Sequence, residues 1–566
     1  MRRQSWRRSI FLTTALGFIG AMGAVGGCGE EDDIEFPPGS GGSVNNPAFA
    51  PAEGGVRRML THQYLNTVRY LLGDGPAEAV VAADLLPADV QVQGYLAIGA
   101  AETPPGLNNP ELWDLTADTV AKAVVADPSG LAQWVPCIQS GPQDDACYDS
   151  FADSFGRMAF RRPISPEEKT WITGLAKQAR TWGEGDFMTG IQYSLRAILQ
   201  SPNFLYLVEV GDTEANAVTP RRKLNQYELA TRMSFFLTDT TPDQELLDAA
   251  DAKSLATAEA LRAQADRLIK KPSAQLAVRL RFNEILYIDL AMSAQKSPDF
   301  YPQFDDNVRV AMVEEAYRFL DDIFWTRNAD AREMFTADYT FVNAPLAPIY
   351  GFAAPLGTEW KKAVWKPEEE RAGFLSMGAF LVRASHAVTT SPTRRGVFIK
   401  DRVLCENVPP PDPDVNPVLP QPEPGDPPKT TKELVEAHMK EDRCRACHAQ
   451  FDPYGFSLEH FDAIGAFRAE DAGYPVDSTG QIDGFGDFAS PRDIADLLIS
   501  DESQRVSRCI MLNVFRSSIG HIETEGEAVA LDELHAAFEK AGFSMQGLMV
   551  ETTLNPAFLY IAELAP

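Results

Sequence analysis

The sequence predicts an all-α fold of several multi-helix domains with a cytochrome-like C-terminal region, and three observations carry the class. Apolar residues recur at helical spacing along most of the chain, helix start signals stand at several points, and no stretch alternates regularly as the strands of a sandwich or barrel do. The chain's 566 residues exceed what one core normally organises. With 45% apolar and 23% charged residues the composition is that of a globular protein. Its 80 acidic residues outweigh 51 basic ones, which argues against nucleic acid or an anionic lipid surface as partner.

MRRQSWRRSIFLTTALGFIGAMGAVGGCGEEDD opens the chain as an export signal. Arg2, Arg3, Arg7 and Arg8 form its charged start, and the apolar run from Ile10 to Val25 is short and broken by glycine. Val25-Gly26-Gly27-Cys28 resembles a bacterial lipobox, so residues 1–27 are expected to be removed and Cys28 to carry lipid. Residues 28–55, acidic and rich in Gly, Ser and Pro, then read as a tether. A membrane is therefore a partner through the lipid anchor only, on the periplasmic or outer face of a Gram-negative cell; Gly29 after Cys28 favours the outer membrane. WRRSIFL faintly resembles a twin-arginine signal, but the general secretory route is the expectation.

An N-terminal helical domain is expected over 56–135, where VRRMLTHQYLNTVRYLLGD (56–74) has helical spacing and ends on Gly73 or Gly75. The segment 136–212 carries Cys137 and Cys147 and a strong start signal, Ser165-Pro166 with Glu168 completing a capping box. A central domain, 213–365, contains LNQYELATRMSFFL, a second start at Thr241-Pro242 with Gln244, and the helices SLATAEALRAQADRLIKK and NVRVAMVEEAYRFLDDIFW. Residues 366–408 lead to Cys405, and 409–430 form a connector in which half of PPPDPDVNPVLPQPEPGDPP is proline. The last domain spans 431–566. LQSPNFLYL (199–207) and LNPAFLYI (554–561) echo one another, which fits either an old duplication or a repeated helix end.

The seven cysteines stand at 28, 137, 147, 405, 444, 447 and 509. Export permits disulfides. With Cys28 lipidated, Cys137–Cys147 closes a short polar loop, and Cys405 and Cys509 remain to pair with each other.

The other two belong to Cys444-Arg445-Ala446-Cys447-His448. Two thiols three apart with a histidine directly after the second suit one covalent haem c, the thiols adding to the vinyl groups and His448 binding the iron. A redox disulfide lacks the strand-and-helix setting such a motif needs, and zinc lacks a second cysteine pair. Candidates for the iron's opposite face are Met511, His521 and Met377, with His438 and Met439 just upstream. Asp452-Pro453-Tyr454-Gly455-Phe456 reads as a turn whose aromatics could cover a porphyrin edge. Arg468 is a candidate for a haem propionate, and Glu459 and Asp462 are expected on a solvated face.

CRACHAQFDPYGFSLEHFDAIGAFR resembles a group of exported proteins abundant in planctomycetes and myxobacteria, built from planctomycete-cytochrome-associated domains of unknown function. RRMLTHQYLNTVRYLLGD, FGRMAFRRPISPEE after Cys147, ILQSPNFLY, LNQYELATRMSFFLTDTTPDQELLDAA, FTADYTFVNAPLAPIYGF, RRGVFIKDRVLCENVPPPDPDV and NPAFLY agree in order, from about Arg57 onward. The chain departs from that pattern at Ser518-Ile519-Gly520-His521, where Leu-Gly-Arg is usual. The resemblance implies an exported haem-c protein with no settled activity.

Three functions compete: electron transfer to or from a redox partner, an oxidase or peroxygenase with an open iron, and a surface protein binding polysaccharide. A bare carrier needs only about a hundred residues. No phosphate loop, Ser-His-Asp or His-Glu-x-x-His motif offers hydrolysis.

Overall fold

The computed structural model describes residues 49–102, 109–213, 220–355, 357–410 and 427–563. The signal, Cys28, most of the tether and residues 411–426 of the connector lie outside them. The chain is 59% helical, in agreement with the all-α reading. Among the described residues no helix is long and apolar enough to cross a membrane.

The first stretch splits where a single helix was expected. Val56–Arg58 is a strand, helix Thr61–Leu72 follows, and Gly73 at φ 92° ends it. The strand pairs antiparallel with Tyr206–Val208, Arg57 opposite Leu207. Between these strands lie Asn109–Ala126, Pro166–Trp182 and Phe187–Leu199, whose inward faces share a core with Tyr64, Val68 and Leu71. The capping box forms as the sequence dictates. The Glu168 N–H donates to Ser165 Oγ at 3.1 Å, and the Ser165 N–H to Glu168 Oε2 at 2.8 Å. At the second start the cap is instead Asp243, which accepts from the Leu246 N–H at 2.9 Å. A carboxylate two residues closer to the helix displaces the threonine as cap.

A second core runs from Leu224 to Ile561 and draws on helices Gln226–Thr238, Pro272–Leu286, Asp306–Asp321, Arg505–Ile519 and Ala528–Lys540. It opens and closes as the first does. Strand Arg221–Lys223 precedes helix Gln226–Thr238 and pairs antiparallel with Tyr560–Ala562 at the far end of the chain. Each closing strand follows a proline-started turn of helix, Pro202–Leu205 or Pro556–Leu559. In each a buried arginine grips the phenylalanine carbonyl: Arg161 to Phe204 O at 3.1 Å, and Arg232 to Phe558 O at 2.7 Å. The echo in the sequence is thus an echo in structure.

The cores are joined. Phe235 and Leu247 pack into the first although their helices belong to the second, and Tyr95 donates to Asn513. Cys137 is bonded to Cys147 and Cys405 to Cys509, as the cysteine count gives. The ladders are of two or three strands, each two to four residues long, too short for an alternating pattern.

Candidate functional site

The C-x-x-C-H residues lie in helix Asp442–Phe456, behind the short helix Thr431–His438, which Thr430 and Glu433 start with another capping box. Cys444, Cys447 and His448 are spaced i, i+3 and i+4, so a helix presents them on one face. Both thiols are unbonded; Cys444 is half-buried and Cys447 exposed. From Glu441 to Gln450 no residue is buried, whereas Phe451, Asp452, Tyr454 and Phe456 are.

The buried half is held by backbone contact. Gly455 faces Pro392 and Gly396 faces Phe451 on helix Pro392–Phe398 so closely that a Cβ would lie 1.9 Å and 1.8 Å from the opposing carbonyl oxygens. This contact corrects the expected turn at 452–456. Gly455 serves close approach rather than chain reversal, and the helix continues through Pro453 to Phe456. Tyr454 and Phe456 are 3% and 4% exposed, within the protein rather than on the thiol face.

His448 keeps 21% of its side chain exposed, and its Nδ1–H donates to Asp452 Oδ2 at 2.8 Å. Asp452 is fully buried, and its Oδ1 has no hydrogen-bond partner. A carboxylate on Nδ1 fixes the tautomer and leaves Nε2 as the available ligand atom. Sequence reasoning assigned Asp452 to a turn; its i+4 spacing from His448 was the signal of its role. His438 comes alongside, its ring edge-on to His448 with centroids 5.1 Å apart, and the Phe451 ring lies 5.2 Å away.

The remaining candidates are occupied elsewhere. Met377 and Met511 are fully buried in the second core. His521 Nε2 pairs with Glu527 at 3.0 Å beside the Phe515 ring. Arg468 donates to Glu459 at 2.8 Å and to Asp471 at 2.7 Å, so a propionate would compete with two acids for it. The acids expected on a solvated face, Glu459 and Asp462, are instead buried and half-buried. Glu459 is 2% exposed and also binds Arg395 at 3.1 Å and Thr390 at 2.7 Å. Asp462 accepts from the Ile464 and Ala466 N–H groups at 2.9 Å. Burial raises both carboxyls above their ordinary range; Arg395 and Arg468 oppose it at Glu459, and the Ile464 and Ala466 N–H groups oppose it at Asp462.

These residues fit a covalent haem: two unbonded thiols and an Nε2 on one uncovered face, with a buried carboxylate behind the ring. Among the described residues no group of three or more His, Cys, Asp or Glu is placed to hold a bare metal ion.

Three segments match family models, each described as a protein of unknown function. Residues 147–209 match PSD5 (DUF1595), 224–352 match PSD4 (DUF1592) and 371–471 match PSCyt3 (DUF1588). All three are planctomycete cytochrome-associated domains. The first match runs from Cys147 to just past the closing strand of the first core; the last holds both helix Pro392–Phe398 and the C-x-x-C-H motif. No curated protein and no solved structure matches the chain.

Proposed function

We propose that this is an exported, lipid-anchored monohaem protein of c-type cytochrome character that passes electrons to or from a partner. Cys444 and Cys447 would hold the haem as thioethers and His448 would bind its iron through Nε2. When bound, the haem supplies a one-electron couple. Asp452 holds the proton on His448 Nδ1 and keeps the ring turned outward. His438 is a second nitrogen donor beside the motif, and a second protein ligand would favour a carrier over an oxidase or peroxygenase, which needs an open face. The observation that carries the reading is the 2.8 Å bond from His448 to a buried carboxylate, beside the two unbonded thiols.

The lipid anchor at Cys28 rests on the sequence; the two disulfides fit an exported protein. The testing experiment is an absorption spectrum of the exported protein, oxidised and reduced, after denaturing extraction of loose haem. Covalent haem c with six-coordinate bands indifferent to carbon monoxide is expected. Covalent haem that binds carbon monoxide would move the reading to catalysis at an open iron. No retained haem would overturn it.

A further inference from the structure

A polar clasp joins the two cores. His62, on helix Thr61–Leu72 of the first, brings Nδ1 within 2.6 Å of Asp239 Oδ2. Asn66, one turn further along that helix, donates Nδ2 to the same oxygen at 2.8 Å and to the Asp239 carbonyl at 3.2 Å. Asp239 ends helix Gln226–Thr238, which carries the start of the second core, in the left-handed conformation, φ 54°. The clasp stands between open spaces. His62 and Asp239 line a cavity of about 250 Å³, Asn66 lines another of about 710 Å³, and Leu280 lines both. The His62 side chain is 30% exposed and that of Asp239 8%.

The charges around the ring decide what the clasp responds to. Besides Asp239, His62 is faced by Asp89 and by Glu284 of helix Pro272–Leu286. Asp89 is held by Arg58 at 2.6 Å and by the Thr61 N–H at 2.8 Å, and Glu284 by the Leu96 N–H. Asp289 lines the same cavity and is taken by Asn283 at 2.8 Å and Tyr317 at 3.0 Å. The nearby cations answer the acids: Arg57 faces Asp239, and Arg281 faces Asp239 and Glu284. Burial opposes a charge on the ring, but Asp239, Asp89 and Glu284 outweigh it and hold His62 above its ordinary 6.5. Parting the clasp returns the ring to that ordinary value. The closed seam therefore keeps its full gain below pH 6.5 and loses it as the pH rises through the value in the closed state. A neutral ring still donates from Nδ1, so the contact loosens rather than breaks, and Phe235 and Leu247 keep the cores packed together.

We propose that His62 and Asp239 form a pH-sensitive latch between the two cores, tight in acid and loosened as the surrounding medium turns alkaline. The latch does not rest on the haem reading. The test is hydrogen–deuterium exchange of the purified exported protein, read by mass spectrometry from about pH 5.5 to about pH 8.5 and corrected for intrinsic exchange. Opening at helices Thr61–Leu72 and Gln226–Thr238 is compared with opening at helix Pro166–Trp182, so that a change in global stability cancels. Relative to that reference the seam should open several-fold more readily at the alkaline end. His62→Gln keeps a donor and removes the titrating charge, so its seam should open alike at both ends. Asn66→Ala removes the other half of the clasp, so its seam should open more readily throughout yet keep the pH step. A parent seam that opens alike at both ends, a step that survives His62→Gln, or a step lost in Asn66→Ala would each overturn the proposal.

Discussion

Gly455→Ala should detach the motif helix from its support. An added Cβ would lie 1.9 Å from the Pro392 carbonyl oxygen, 2.5 Å from its carbon and 2.6 Å from its Cα. All three are backbone atoms of a helix, so no rotamer change relieves the clash, and ordinary contact requires the helices to part by about 1.5 Å. Overpacking of this kind costs about 3 kcal/mol. Replacing glycine within a helix returns about 1 kcal/mol, leaving a net loss of about 2 kcal/mol. Urea unfolding followed by near-UV circular dichroism reads the difference. Gly174→Ala is the control, because nothing lies within 4 Å of a Cβ there, and it should stabilise helix Pro166–Trp182. Gly396→Ala meets the Phe451 carbonyl at 1.8 Å across the same contact, so the double variant should lose less than the two losses added. A Gly455→Ala protein as stable as the parent would refute the close-contact argument.

Serine at Cys405 and Cys509 opens a bond spanning 104 residues, against 10 for Cys137 and Cys147; chain entropy gives about 5 and about 3 kcal/mol, so the first pair should shift the urea midpoint further. A reversed order would count against the loop-length argument. Glu315, fully buried with Thr340 and Tyr350 donating to it, is raised by burial to about 8 from an ordinary 4.5. The folded protein keeps a proton that the unfolded chain releases. Stability is therefore full below pH 4.5 and falls as pH rises towards 8, and Glu315→Gln should flatten that decline in urea midpoints taken across the range. An unchanged slope in the variant would show that another group sets it. In haem-loaded protein, Asp452→Asn weakens the acceptor behind His448 and makes the ring a poorer donor, so the reduction potential should rise by redox titration; an unmoved potential would mean the pair does not tune the iron.

Local chemistry was legible and long-range meeting was not. Ser165 and Glu168 sit three apart, and their reciprocal bonds follow from that spacing alone. Both disulfides came from counting, because setting aside Cys28 for lipid and two cysteines for the motif leaves four, of which Cys137 and Cys147 flank one short loop. Gly455 was misread because a glycine for close packing and a glycine for a turn look alike in sequence; the difference lies in Pro392, far upstream. Thr241 was displaced as cap because Asp243 also answers to Arg267 and Lys271 from later in the chain. His62 and Asp239 are 177 residues apart and meet only because two cores share a seam. Within the motif the spacing that puts Cys444, Cys447 and His448 on one helix was readable, whereas the burial of Asp452 and the approach of His438 depend on how two helices pack.

The paired closures set a timetable for a chain that emerges N-terminus first. Once residue 208 is out, the first core holds both strands of its ladder, both partners of its arginine clasp and both cysteines of its disulfide. The second core waits for Tyr560–Ala562, so everything from Arg221 onward is delivered to an unfinished assembly. Cys444 and Cys447 emerge within that interval, before Cys509 arrives to pin Cys405 and before Arg232 takes hold of Phe558. The proposed haem attachment would then act on those two thiols before the second core closes, while the last hundred or so residues follow.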